Sequence, residues 1–376
     1  MSLQNFRAGF AQGASTLVHL NNAGLAPSSR VGGDQVRYWM QRFESEGMHC
    51  NDDYMAAIEK ARGQLALLAG AKPHQIAFFQ STAGAISQVA FGMSLNASDE
   101  VLVWDQEYAS NLYPWKVACD RSGAKLVRAT SEADGSTPIE NLLAKVTART
   151  KVIAVSWIQF QTGAEMDVKK LAEFAKPRGI FTLIDIIQGF GIMPFDFTEL
   201  GIDAACGGSH KWLVSPVGVG FLMLRSERLP QIKPINIGAM TYGTCDDPSD
   251  LSCPPKTDST KFEAGSKQVL EITALGANCQ WLSACGVETL RDEAFRLAEK
   301  LRQALLDLGW NLHQPQVGNR AFVNFSHKKN SPQQVAHVLK KNRISYALRG
   351  PGIRLSPHAF NVDADIERAI EALAAV

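Results

Sequence analysis

Residues 207–213 read Gly-Gly-Ser-His-Lys-Trp-Leu, a turn in which one lysine is crowded by glycines on one side and apolar residues on the other. Such a setting disfavours the ammonium form of Lys211, and a neutral amine is the nucleophile that condenses with a carbonyl. A single lysine is most often a solvated surface residue. The weight of Lys211 therefore depends on what the rest of the chain brings near it.

Outward from this turn the texture is one of short apolar runs, at Ile76 to Phe79, Val101 to Trp104, Lys125 to Val127, Val152 to Ser156, Phe181 to Asp185 and Val219 to Leu224. Runs of this length suit strands buried on both faces. The amphipathic stretches between them, such as Val168 to Lys176, suit crossover helices, so the pattern predicts a mainly parallel sheet in an α/β domain. Residues 1–30 read as an irregular arm, with turn formers at Asn21, Asn22, Gly24 and Pro27, and helical periodicity follows at 34–46 and 53–69. Residues 243–261 are rich in Pro, Ser, Thr and Asp and read as a loop. Helices from Lys267 to about Ala284 and from Val287 to Leu308 then lead into mixed strands and helices. The expected division is an arm, 1–30, a large domain, 31–265, and a connecting helix with a smaller α+β domain, 266–376.

Two further stretches belong with Lys211. Asp185 ends an apolar run, with Gln188 one helical step beyond it, and open parallel sheets bind ligands outside the carboxyl ends of their strands. Taken alone, Asp185 reads as a helix N-cap. Residues 79–85, Phe-Gln-Ser-Thr-Ala-Gly-Ala, pass from strand to helix through small residues. A helix N-terminus of this kind binds phosphate through free amides and its dipole, and an ordinary Ser/Thr-capped helix explains the stretch equally well. It matches neither the Walker A nor the dinucleotide pattern. In the order 82, 185, 211 the three supply an anion site, a carboxylate and a lysine. Pyridoxal phosphate uses all three, for its phosphate, its pyridine nitrogen and its aldehyde.

On these residues the sequence resembles the class V aminotransferase family of fold-type I pyridoxal 5′-phosphate enzymes, which includes cysteine desulfurases, isopenicillin N epimerases and relatives of kynureninase. Asp196 to Leu224 resembles the family's lysine segment, and Leu183 to Gly191 its pyridine-nitrogen segment. The resemblance implies Asp185 on the ring nitrogen, Gln188 near the ring hydroxyl, and Thr82 and Ala83 on the phosphate with His210 and Ser209. Gln106 to Trp115 resembles the segment that stacks on the cofactor ring, which implies Tyr108 there. Lys261 to Gln268 resembles the segment that reaches the neighbouring subunit's phosphate, which implies Ser266 and a homodimer with shared active sites. Gly352 to Asn361 resembles the segment whose arginine grips the substrate carboxylate, which implies Arg354, with Asn22 and Gln159 as further substrate contacts. The implied fold is that of fold type I, a large domain around a mainly parallel seven-stranded sheet and a smaller C-terminal α+β domain.

The departures carry information too. Gly208 stands where the family often has a serine, leaving Ser209 to supply that hydroxyl. Phe160 stands where many relatives have an asparagine, leaving Gln159 or Gln161 to substitute. Residues 340–353 contain no cysteine, whereas desulfurases carry a nucleophilic one shortly before the carboxylate-binding arginine. This argues against persulfide chemistry, and Cys245 and Cys253, in the 243–261 loop, read as ordinary thiols. The expected function is transamination or β-elimination of the C–S lyase type at Cα of an amino acid. Epimerisation and kynureninase-like hydrolysis are the alternatives within the family. A non-catalytic binding module and a nucleotide-binding α/β protein are the alternatives outside it.

Charge and composition agree with a small-molecule enzyme. The 38 Lys and Arg nearly balance the 37 Asp and Glu, so no net field favours nucleic acid or an anionic membrane. Seven scattered cysteines form no zinc-spaced cluster, which predicts no metal site and fits a reduced cytoplasm. No apolar signal core or spanning stretch is present in the sequence.

Overall fold

The computed structural model describes residues 2–10, 17–132, 134–243, 250–313 and 318–376. Its centre is a seven-stranded sheet made of β1 (Ile76–Phe79), β2 (Glu100–Trp104), β3 (Lys125–Ala129), β4 (Thr150–Ser156), β5 (Phe181–Asp185), β6 (Ala204–Gly208) and β7 (Gly220–Leu224), in the spatial order β1-β7-β6-β5-β4-β2-β3. From β6 to β3 the strands run parallel, and β7 alone is reversed, pairing antiparallel with both β6 and β1.

The period of two expected of a strand sorts side chains onto the two faces of this sheet. Phe78, Leu102, Trp104, Ile153, Val155, Ile184, Ala205 and Phe221 face one apolar layer. Ala77, Phe79, Val101, Val103, Val152, Ala154, Leu183, Cys206 and Leu222 face the other. Both faces are covered by helices, which is why the strands read as continuous apolar runs. The strand Ala-Ala-Cys-Gly-Gly of β6 has little β-propensity of its own. It is set by packing: a side chain at Gly207 would collide with the Phe221 ring.

A second sheet, β8 (Asn311–Leu312), β9 (Val323–Ser326), β10 (Ala347–Arg349) and β11 (Gly352–Leu355), is antiparallel in the order β10-β11-β9-β8. Val323, Phe325, Ile353 and Leu355 pack with Leu297, Leu301, Leu305, Leu339 and Ile366 in a separate core. The strand β10 starts only at Ala347, beyond an irregular turn. Arg343 adopts a left-handed conformation (φ 57°), and Ile344 forms only a parallel bridge to Val18. The expected irregular arm is more ordered than its sequence suggests. A short helix, Leu3–Ala8, is capped by Ser2 and buries Phe6 against Trp281, with ring centroids 4.6 Å apart. Six residues are too few to display helical periodicity.

No helix among the described residues is long and apolar enough to cross a membrane. Cys50, Cys119, Cys206 and Cys279 are buried free thiols and Cys285 is buried too, while Cys253, expected as an ordinary thiol, is disulfide-bonded. Cys245 lies outside the described residues.

Candidate active site

The carboxyl ends of β4, β5 and β6 lie at one edge of the large sheet, where Ser156 is level with Asp185 and Asp185 with Cys206. The chain leaving these ends turns over the edge and forms a pocket lined by Ala23, Ser81, Thr82, Ala83, Tyr108, Phe160, Asp185, Gln188, His210, Lys211, Arg349 and Arg354. Segments from seven parts of the sequence thus meet where the topology places a ligand.

One wall is the start of the helix Thr82–Gly92. Ser81 caps it, its hydroxyl accepting from the Gly84 amide at 3.1 Å, so the first-turn amides of Thr82 and Ala83 keep the open valence of a helix N-terminus. The Thr82 hydroxyl is buried and has no partner among the described residues. Gly220 of β7 makes this close seating possible, since a Cβ there would collide with the Ser81 carbonyl and lie 2.6 Å from the Thr82 nitrogen.

On the floor, Asp185 is 3% exposed and accepts the Ile187 amide at 3.0 Å. Burial pushes its carboxyl up to about 6, against the opposing pull of the Ile187 amide and of Lys211. Burial lowers the Lys211 amine to about 8, with Asp185 opposing the shift and Arg354 and Arg349 adding to it. The Lys211 nitrogen stands 5.9 Å from the centre of the Tyr108 ring. His210 is lowered to about 4 by burial and by Lys211, and is neutral at pH 7.

Gln188 is clamped from three sides. Its amide donates to the Ala23 carbonyl (3.1 Å), its side-chain oxygen receives the Trp212 indole N–H (3.4 Å), and its carbonyl receives Asn319 (3.0 Å). At the far end Arg354, 1% exposed, donates to the Phe160 carbonyl and to Asn21 Oδ1 (3.2 Å), while its Nε is buried without a partner.

Eight of the residues singled out in the sequence are thereby brought together: Thr82, Ala83, Tyr108, Asp185, Gln188, His210, Lys211 and Arg354. Four are not. The Ser209 hydroxyl is turned away to the Pro216 carbonyl at 2.5 Å, so it does not replace the side chain missing at Gly208. That space is filled by neighbours, because a Cβ at Gly208 would lie 2.9 Å from Thr82 Oγ1 and 3.1 Å from Ile187 Cδ1. The Gln159 side chain is consumed within its own loop, its oxygen accepting from Gln161 N (2.6 Å) and Thr162 N (2.8 Å) and its nitrogen donating to Gln106 (3.2 Å). Asn22 donates to the Ser356 carbonyl at 2.8 Å and does not line the pocket, whereas its neighbour Asn21 reaches Arg354. Ser266 lines a separate cleft with Gln80, Asn236 and Lys267.

The sequence reading missed Arg349, Ser110, Ile187 and Ser156 in the lining, and Glu107 behind it. Among the described residues no cysteine lines the pocket and no group of His, Cys, Asp and Glu is arranged to hold a metal ion.

The pocket's donors fit pyridoxal phosphate: an unpaired buried hydroxyl at a helix N-terminus for a phosphate, a buried carboxyl with only one hydrogen-bond donor on it for a pyridine nitrogen, and an amine of lowered basicity for an aldehyde. Comparison with known proteins agrees. The profile of the aminotransferase class-V family matches residues 32–354. The chain is 25% identical to a Bacillus subtilis protein named uncharacterized aminotransferase YcbU, over 89% of each chain. It is 26% identical to the isopenicillin N epimerase of Streptomyces clavuligerus, over 96% of this chain and 95% of the relative. In fold it is similar to a C-DES mutant solved with glycine covalently linked to its PLP cofactor, with a TM-score of 0.89, 20% identity, and 98% of each chain covered. With the family profile spanning most of its length, the chain belongs to the class V aminotransferases, pyridoxal-phosphate enzymes that act on amino acids.

Proposed function

We propose that this pocket carries out transamination or β-elimination at Cα of an amino acid, with Lys211 as the covalent anchor and the proton carrier. The observation that carries this reading is that the Lys211 amine shares one pocket with Asp185 and Arg354, its basicity lowered to about 8 by burial. When bound, pyridoxal phosphate supplies an electron sink for the pair left at Cα as a bond there breaks.

The residues divide the remaining work. Thr82, the Ala83 amide and neutral His210 bind the phosphate. Asp185 would hold the pyridine nitrogen, and a cation there would draw it back to the carboxylate form that burial alone disfavours. Gln188 is immobilised by its three contacts and orients toward the ring hydroxyl. Tyr108, in edge contact with Phe160 at 5.1 Å, covers the ring face and excludes water. Arg354 grips the substrate carboxylate with the unpaired edge of its guanidinium. The Lys211 amine would hold the aldehyde and would take the proton from Cα of the bound amino acid, and its lowered basicity gives it a neutral fraction near pH 7 for that task. The placing of Ser266 in a cleft of its own suits a contact with a second subunit's cofactor, so the working form is a homodimer, and the expected compartment is the cytoplasm.

The test is a panel of amino acids incubated with the purified protein while pyruvate, ammonia and pyridoxamine phosphate are followed. Pyridoxamine phosphate that a keto acid discharges supports transamination. Pyruvate and ammonia without it support elimination. A protein that gains no visible absorption band on addition of pyridoxal phosphate overturns the reading altogether.

A further inference from the structure

The pocket contains more positive charge than the reading above uses. Lys211, Arg349 and Arg354 line it, and Asp185 is the one carboxylate among its lining residues. If Asp185 serves the cofactor nitrogen, Lys211 the aldehyde and Arg354 one carboxylate, the Arg349 guanidinium is left without a counter-ion.

Its position is built rather than incidental. β10 and β11 form a hairpin in which Arg349 pairs with Gly352 and Ala347 with Arg354. Cross-strand partners share a face, and so do residues two apart on one strand. Arg349 and Arg354 therefore leave the same face of the hairpin. Asn324, level with Arg354 on β9, holds the backbone there by donating to the Arg349 carbonyl and to the Gln161 carbonyl, each at 3.1 Å. The Arg349 guanidinium lies 5.9 Å from the Phe160 ring centre. Among the described residues it makes one hydrogen bond, from Nη1 to the Leu348 carbonyl at 2.9 Å. Its Nε is buried without a partner, as is that of Arg354, and neither arginine forms an ion pair with a described residue. Two part-desolvated guanidiniums on one face, each with an unused N–H edge, present two carboxylate-binding forks.

We propose that Arg349 is the specificity-determining residue of this pocket, selecting amino acids whose side chain carries a second carboxylate. The inference rests on the assignment of the pocket to pyridoxal phosphate and an amino acid. Arg354 takes the α-carboxylate and Arg349 the side-chain carboxylate. A substrate with a neutral side chain leaves Arg349 unpaired, and this penalty is the source of the discrimination.

The experiment is calorimetric titration of the holoenzyme with α-methylaspartate, α-methylglutamate and α-methylserine, which lack the Cα proton and report binding without turnover. At least one of the dicarboxylic ligands is expected to bind about tenfold or more tighter than α-methylserine. Arg349→Met is expected to abolish that preference, and Arg349→Lys, which keeps the charge without the fork, to restore part of it. Circular dichroism and thermal unfolding of both variants report whether they fold. Equal binding of all three ligands by the wild type, or a preference that survives Arg349→Met, overturns the proposal. So does an equal loss for all three ligands in that variant, which would mean that both arginines clamp a single carboxylate. A holoenzyme that shows its absorption band and binds α-methylserine as tightly as the dicarboxylic ligands defeats the specificity claim alone. A protein that takes up no pyridoxal phosphate defeats the pocket assignment beneath it.

Discussion

The carboxylate of Glu107 accepts both the amide and the hydroxyl of Ser156, each at 2.7 Å, and receives Asn111 at 3.1 Å behind them. Ser156 is the register partner of Asp185, so a second buried carboxyl stands behind the floor of the pocket. Burial pushes Glu107 up to about 7, with Ser156 and Asn111 opposing it. The folded state therefore binds this proton more tightly than the unfolded state, and stability contributed by Glu107 falls as pH rises from about 4.5 to 7. Glu107→Gln removes that dependence. It also sets an amide nitrogen against the Ser156 donors or leaves one unmatched, at a cost of about 1–3 kcal/mol. Urea unfolding at pH 5 and pH 7.5 for both proteins checks the sign: the variant's difference between the two pH values should be the more positive.

Lys211 should capture pyridoxal phosphate with a rate that rises through about pH 8, not through its ordinary value of 10.5, because burial strips the proton early. Stopped-flow absorbance of the apoenzyme mixed with cofactor from pH 6 to 10 measures the midpoint. Lys211→Ala should show no covalent attachment by mass after borohydride reduction; attachment elsewhere would move the anchor to another lysine.

Arg354→Ala deletes a buried fork and leaves Asn21 and the Phe160 carbonyl without their donor. Charge-assisted hydrogen bonds of this kind are worth about 1.5–3 kcal/mol, so the apparent affinity for amino acids should fall by roughly tenfold to a hundredfold. Arg354→Lys should recover little, since a point charge does not reproduce the fork. An unchanged KM in both variants would remove Arg354 from the carboxylate site.

His358 sits among the rings of Phe6, Trp212 and Phe360 at centroid distances of 5.4–5.6 Å. Its Nδ1 receives the Ala359 amide at 2.8 Å, which leaves Nε2–H to face the Trp212 carbonyl. A second proton would have to enter at Nδ1, against a backbone N–H. Burial keeps the ring neutral and lowers it to about 4, with the Trp212 carbonyl opposing the shift and His19 adding to it. The unfolded state binds the proton more readily, so this contribution to stability, roughly 3 kcal/mol at most, is present above about pH 6.5 and is lost as pH falls toward 4. Chemical unfolding of His358→Phe should show a shallower loss across that window; a slope equal to the wild type would assign the acid sensitivity to other groups.

Gly220→Ala should cost about 1–3 kcal/mol by pushing on the backbone at Ser81 and Thr82, and should weaken cofactor binding although residue 220 does not line the pocket. Thermal unfolding and equilibrium dialysis of pyridoxal phosphate measure the two effects separately. A variant that binds cofactor normally would show that the helix start has room to move.

Most of the scaffold is legible in the sequence because strands buried on both faces leave continuous apolar runs; Thr82 falls just beyond one such run and Asp185 ends another, whereas Lys211 follows β6, whose small residues leave no such run. Side-chain direction is not legible in the same way. Ser209, Gln159 and Asn22 have the right chemistry and adjacent positions, yet each is spent on a carbonyl or amide that comes close only after the loops fold. Arg349 stayed hidden for a related reason. It shares a face with Arg354 only through the hairpin register, and spacing along the chain does not reveal that. Glu107 lies in a polar stretch that gives no sign of complete burial.

The first strand of the large sheet has a single neighbour in it, and that neighbour is made last. Ile76–Phe79 pairs only with Gly220–Leu224, about 140 residues later in the chain. A growing polypeptide therefore has Ile-Ala-Phe-Phe available as an unpaired, sticky edge until the segment beyond Lys211 has been synthesised. The same event that closes the sheet brings Gly220 against Ser81 and Thr82 and completes the phosphate wall. Cofactor capture is thus a natural reporter of a finished fold, and a chain that ends before Leu224 should be both colourless and prone to aggregate.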